Sequence, residues 1–157
     1  MARQLWLLRH GEAVPHDDDD DARPLTDRGR EQARAAGLAL ARLEIPVHLC
    51  FTSPKVRARE TAELACGALG LEPIEHRPLR GGFGERDALE LMEAAEGDQR
   101  VLVVGHEPDF SQVVHDLTGA QVDLKKGGLA AVRLDGSRGE LIVLLRPREL
   151  STIARRR

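Results

Sequence analysis

The sequence predicts a three-layer α/β/α sandwich on a mostly parallel central sheet. Two observations carry this. Short, continuously apolar runs stop abruptly at polar residues and glycine, as strands buried on both faces do. Between them lie stretches whose apolar residues recur at helical spacing, and strands alternating with helices build α/β sandwiches. The clearest strands are residues 5–8 (Leu-Trp-Leu-Leu) and 101–104 (Val-Leu-Val-Val), with a third at 47–51 ending at Thr52-Ser53-Pro54. Two more, around 129–134 and 141–145, flank Asp135-Gly136 and predict a hairpin whose loop is lengthened by residues 137–140.

Four helices follow from periodicity and capping chemistry. Thr26 is the predicted N-cap of a helix carrying Ala33, Ala36, Leu40 and Leu43 on one stripe. Ser53-Pro54 predicts a second start, serine as cap and proline at the first position, with Ala58, Thr61, Ala65 and Leu69 facing inward. Ala88, Leu91, Met92 and Ala95 mark a third helix. Phe110, Val113, Val114 and Leu117 mark a fourth, opened by Pro108-Asp109. With no repeat and no dividing linker, the 157 residues read as a single domain, 1–157, with about 147–157 as a loose C-terminal tail ending in Arg155-Arg156-Arg157.

Composition narrows the function classes. Aromatics make up 3% of the chain, so aliphatic residues and alanine must fill the core. A net charge of −3 argues against a nucleic-acid partner, which calls for a basic surplus. The apolar stretch after Met1-Ala2-Arg3-Gln4 is too short to span a membrane and lacks a leader cleavage pattern, so a cytoplasmic protein with no membrane partner is expected. Cys50 and Cys66 have no metal-ligand or redox spacing and read as buried thiols. The acidic run Asp17, Asp18, Asp19, Asp20 and Asp21 reads as a solvated loop tip, since consecutive acids diverge and preorganise no metal cage.

Ligands of open α/β sheets bind beyond the C-terminal ends of strands. Three stretches deliver polar groups to such points: Arg9-His10-Gly11 after the first strand, Arg57 in the first turn of a helix after another, and His106 after Val103-Val104-Gly105. Two imidazoles and two guanidiniums suit a phosphoryl group. Guanidinium forks grip phosphate oxygens bidentately, and neutral imidazole is a competent nucleophile. Two neighbouring arginines favour that neutral form, and Gly11 is expected to let the backbone turn and approach the phosphate. Zinc is the competing reading of two histidines, but flanking arginines repel a cation and no third ligand is evident. Each residue alone has a structural explanation; the ordered set after successive strands does not.

That ordered set resembles the histidine phosphatase superfamily, the phosphoglycerate mutase-like fold. The resemblance rests on Arg9-His10-Gly11, on Thr26-Asp27-Arg28-Gly29 with Gln32-Ala33, on Ser53-Pro54 with Arg57-Ala58 and Thr61-Ala62, and on Val104-Gly105-His106. It implies His10 as the phosphorylated nucleophile, Arg9 and Arg57 as phosphate clamps, His106 as the fourth pocket member, and no metal or organic cofactor. The short chain and Gly127-Gly128-Leu129-Ala130 are most similar to the SixA-type phosphohistidine phosphatases, which implies an open pocket and a phosphorylated protein as substrate, with inorganic phosphate as product. One departure bears on this. Where many relatives place a glutamate donor after a Leu-Arg pair, Leu79-Arg80 is followed here by Gly81, Gly82 and Phe83. Glu107, then Glu12, are the candidate substitutes, with Glu85 a further one. The alternatives to a phosphohistidine phosphatase are a small-molecule phosphomonoesterase acting on sugar or nucleotide phosphates and a non-catalytic phosphate-binding module.

Overall fold

The computed structural model describes residues 2–15 and 19–156. In chain order the elements are β1 (Arg3–Arg9), α1 (Asp27–Arg42), β2 (Leu49–Thr52), α2 (Val56–Leu69), β3 (Ile74–Glu75), α3 (Glu85–Met92), β4 (Arg100–Gly105), α4 (Asp109–Thr118), β5 (Leu129–Asp135), β6 (Arg138–Leu145) and α5 (Pro147–Arg155). Two 3-10 turns, Asp20–Ala22 and Arg77–Arg80, lie in the connections. The six strands form one sheet in the order β3-β2-β4-β1-β5-β6. β3, β2, β4 and β1 pair in parallel, and β5 and β6 close the far side antiparallel, so the sheet is mixed.

Both faces of the central strands are covered, which explains their unbroken apolarity. Leu5 and Leu7 of β1, with Val101 and Val103 of β4, pack toward α3 and α4 through Leu91, Phe110 and Val113. The alternate residues Trp6, Leu8, Leu102 and Val104 pack toward α1, α2 and α5 through Ala36, Ala62 and Leu150. With few aromatics, the second layer relies on close backbone approach. A Cβ on Gly37 of α1 would lie 2.3 Å from the Ala65 carbonyl oxygen of α2, so the two helices touch there without side chains between them.

Several boundaries differ from expectation. Thr26 caps α1 by accepting from the Gly29 amide at 3.0 Å. α2, however, begins at Val56 with Lys55 at its cap; the Ser53 hydroxyl oxygen accepts from the Lys55 amide at 3.2 Å, ahead of the helix, and also meets His106. Ala95 lies beyond α3 yet is buried. The β5–β6 connection is a two-residue turn, Gly136-Ser137, with Asp135 paired to Arg138; residues 138–140 extend the strand instead of the loop. Residues 147–155, predicted as a loose tail, form α5 against α1, because Leu150 and Ala154 supply a buried stripe. The two-residue strand β3 escaped sequence reading, being short and exposed. No helix among the described residues is long and apolar enough to cross a membrane.

Candidate active site

Register builds the site. β1 and β4 are adjacent and parallel, with Arg9 opposite Gly105, so the next residue of each chain segment is a histidine. The His10 amide donates to the Gly105 carbonyl at 3.0 Å, and the two imidazole centroids stand 5.2 Å apart. β2 ends one strand further over, and the Ser53 amide donates to the Val104 carbonyl at 3.0 Å. α2 then carries Arg57 back over the strand ends in its first turn. His10, Arg57 and His106 are buried to 7%, 6% and 8% exposure, and all three line a cleft of about 380 Å³ with Arg9.

His10 Nδ1 lies 2.7 Å from the Gly11 carbonyl oxygen. A carbonyl only accepts, so Nδ1 carries the hydrogen and Nε2 is left with a free lone pair. Burial, opposed by that carbonyl bond and reinforced by the charges of Arg57, Arg9 and Lys126, pulls the His10 pKa down to about 4. His106 falls to about 3, through burial first and then His10, Arg57 and Lys55. Both rings are therefore neutral at pH 7. Of the two arginines, Arg9 is anchored by an Nη1 bond of 2.9 Å to the Leu124 carbonyl, and the Nε atoms of Arg9 and Arg57 are buried with no hydrogen-bond partner among the described residues.

Gly11 is required by close packing against α1 and not by an unusual φ. Its φ is ordinary, but a Cβ there would sit 2.6 Å from the Gly29 carbonyl oxygen, so the loop after β1 lies directly on the first turn of α1. Thr61 fastens the same loop to α2 by accepting from the Gly11 amide at 3.1 Å. Gly127, at φ +79°, donates to the carbonyls of Arg9 and His10 from the other side.

The candidate acids separate. Glu107 is on the cleft wall, but its carboxylate accepts from the Ser111 amide at 2.7 Å and from the Ser111 hydroxyl. Glu12 is not on the wall; its carboxylate accepts from the Thr26 hydroxyl at 2.8 Å, bracing the start of α1. Glu85 begins α3, also off the wall. Residues 17 and 18 of the acidic run lie outside the described residues. Asp20 and Asp21 are not a solvated tip: they turn onto the cations of the cleft. Asp20 reaches Arg23 at 2.9 Å and Arg57 at 3.3 Å, and Asp21 accepts from Arg80 Nε at 3.2 Å.

Sequence reading missed several residues on this wall and one, Ser53, behind it. Ser53, fully buried, stands 2.8 Å from His106 Nε2. Lys55, Arg80, Lys126 and Arg23 add positive charge, and Asp109 accepts from the Gly82 and Phe83 amides at 2.9 and 3.3 Å, pinning the glycine pair beside the cleft. The position of Ser53 at a strand end was the available signal; the cations, in an arginine-rich chain, offered none. Among the described residues no group of three or more His, Cys, Asp or Glu side chains could hold a metal ion. A larger groove of about 960 Å³ between α1 and α5 has Leu43, Leu145 and Ile153 on its walls and no histidine, so chemistry selects the smaller cleft.

The profile of the histidine phosphatase superfamily (branch 1) matches residues 5–87, which hold three of the four clustered side chains. The chain belongs to that superfamily. It is 35% identical to an uncharacterised protein of Picosynechococcus over 94% of this chain and 98% of that one. A 63-residue stretch is 46% identical to the mitochondrial serine/threonine-protein phosphatase Pgam5 of Drosophila grimshawi, covering 40% of this chain and 22% of that protein. Among solved structures, the protein histidine phosphatase SixA in complex with tungstate superimposes with a TM-score of 0.83 at 26% identity, over 94% of this chain and 99% of SixA. A phosphoserine phosphatase variant of Entamoeba histolytica, in complex with phosphoserine, shares the fold at a TM-score of 0.76 and 14% identity, over 94% and 99% of the two chains. The superfamily and its SixA neighbour make the chain a phosphatase-type hydrolase of mixed α/β fold.

Proposed function

We propose that this superfamily member hydrolyses phosphohistidine on a partner protein through a phospho-His10 intermediate. The observation that carries the reading is the His10 tautomer: Nδ1–H is tied to the Gly11 carbonyl and Nε2 is unprotonated beside two guanidiniums. The Nε2 lone pair attacks phosphorus while Arg9 and Arg57 hold the phosphoryl oxygens. The bond from phosphorus to the substrate nitrogen breaks, and its electron pair stays with the departing ring. A phosphohistidine protonated on its other nitrogen leaves as neutral imidazole, so the enzyme need supply no proton. The Gly11 carbonyl meanwhile stabilises the positive charge that His10 acquires. Water then attacks phosphorus, the P–Nε2 bond breaks with its pair returning to His10, and both water protons depart on dihydrogen phosphate. His106, neutral and held by Ser53, lies against the same phosphoryl oxygens. No metal or organic cofactor enters this scheme.

Two features support a phosphohistidine substrate. The backbone beside the cleft is Gly81-Gly82, where a proton-donating side chain would otherwise stand, and the Glu107 carboxylate is engaged by Ser111. An alkoxide leaving group suffers most from a missing acid. The second reading, a phosphomonoesterase for small phosphate esters, is favoured by Glu107 and Asp109 both reaching the cleft wall. A cytoplasmic setting belongs to the same proposal.

The test is trapping of acid-labile phosphate. Wild type quenched during turnover of a phosphohistidine protein carries one phosphoryl group on His10 by peptide mass spectrometry. His10→Ala carries none and does not turn over, yet binds tungstate. Full activity of His10→Ala would remove His10 from the mechanism, and a marked preference for a sugar phosphate or phosphoserine would decide for the second reading.

A further inference from the structure

The phosphate-gripping edge of the cleft is already occupied by part of the chain itself. The 3-10 turn Asp20–Ala22 presents its first residue to Arg57 twice: the Asp20 carbonyl accepts from Nη1 at 2.8 Å, and the carboxylate oxygen Oδ2 lies 3.3 Å from Nη2. The same carboxylate reaches Arg23 Nε at 2.9 Å and Lys55 Nζ at 3.7 Å. Asp21 continues the pattern outward, at 3.7 Å from Lys55 and bonded to Arg80. Of the six cations that the described residues place on the cleft wall, these two carboxylates therefore engage four: Arg23, Lys55, Arg57 and Arg80.

We propose that Asp20 is an internal competitor for the phosphoryl site, a specificity-determining residue that neutralises Arg57 while the cleft is empty and limits how tightly free phosphate is held. The proposal rests on the reading above only in taking the cleft as a phosphoryl site. Its physical basis is the contrast between the two partners. Arg57 is 6% exposed, and a buried guanidinium with no anion is costly, so something negative must stand beside it in the resting protein. Asp20 meets that need cheaply, because its side chain keeps 44% of its surface in water and can rotate outward with little desolvation to undo.

The two bonds to Arg57 have different fates. The backbone carbonyl at Nη1 fixes the guanidinium plane and stays when the carboxylate leaves. The longer carboxylate contact at Nη2, together with Nε, which has no hydrogen-bond partner among the described residues, forms the edge that a bidentate phosphoryl group takes. Desolvation opposes ionisation of Asp20, but the charges of Arg57, Arg23 and Lys55 together outweigh it and hold the carboxyl below the usual carboxylate range, so it is an anion at neutral pH. A displaced Asp20 then lies next to a bound phosphate of like charge. Product phosphate is the ligand most affected, since it has no leaving group to anchor it elsewhere.

The opposite role, Asp20 as a brace that aligns Arg57 for phosphate, predicts the opposite sign, and this makes the test decisive. Asp20→Asn keeps the carbonyl bond and the size of the side chain and removes only the charge. Asp98→Asn, on the loop before β4 at the other end of the sheet, controls for net charge. Binding of tungstate and of inorganic phosphate is measured by calorimetry at low ionic strength, with product inhibition by phosphate in parallel. The expected result is binding about three- to fivefold tighter in Asp20→Asn, as for loss of one partly exposed charge pair, with Asp98→Asn unchanged and the gain shrinking as salt is raised. Unchanged or weaker binding in Asp20→Asn overturns the competitor role and leaves the phosphatase reading intact. Absence of tungstate and phosphate binding in wild type and variant alike would remove the phosphoryl site and this inference with it.

Discussion

Acidification should unfold this protein through the two imidazoles of the cleft. In the unfolded chain His10 and His106 titrate near 6.5; folded, they are held to about 4 and about 3. Between those values the unfolded state binds more protons, so stability falls as pH drops through 6.5 and the loss levels off only near the folded values. Taken from pH 7 to pH 5, the proton linkage costs about 2 kcal/mol per imidazole, about 4 kcal/mol for the pair. Carboxylates and the other histidines titrate as well, so the quantity to measure is a difference. Urea denaturation of wild type and of His10→Gln/His106→Gln at both pH values, in buffers free of phosphate, isolates it. The double variant should lose about 4 kcal/mol less than wild type over the interval. Equal losses would show that the rings are not held neutral, and the account of His10 as an unprotonated nucleophile would fall with them. Phosphate should protect wild type against acid, because an anion in the cleft favours the protonated rings.

Two further outcomes test the scaffold. Gly37→Ala places a methyl 2.3 Å from the Ala65 carbonyl and should cost about 1–3 kcal/mol in denaturation midpoint analysis by prising α1 from α2; an unaffected midpoint would show that the helices are not in backbone contact. Leu150→Ala should cost about 2–5 kcal/mol and raise hydrogen exchange across residues 147–155, whereas a truly loose tail would tolerate it without change.

How legible the chain was depended on the range of the interaction. Strands at 5–8 and 101–104 were plain because β1 and β4 are covered on both faces, and only continuous apolarity satisfies that. The start of α1 was equally plain, since Thr26 and the Gly29 amide it caps are three residues apart. α5 was obscure: nine residues with two arginines look like a tail until Leu150 and Ala154 are seen to face the α1 layer. Ser53 misled in a different way. Its type and position suit a helix cap, yet its oxygen accepts from the Lys55 amide ahead of the helix and is shared with a partner 53 residues away, His106.

The site divides along the same line. Arg9, His10, Arg57 and His106 announced themselves in the sequence because each follows a strand or opens a helix, and strand ends are where α/β sheets gather ligand groups. Which nitrogen of His10 is free, which acid reaches the cleft wall and what the aspartates do were decided only in three dimensions. A tautomer depends on the direction of one carbonyl. The separation of Glu107 from Glu12 depends on which side of a loop each side chain leaves. The pairing of Asp20 with Arg57 spans 37 residues and two connections, and no local pattern encodes it. Local hydrogen bonding and hydrophobic period determined the layers and the order of the clustered residues. Long-range packing determined their protonation, their partners and the carboxylate paired with Arg57, because burial and charge act through space and not along the chain.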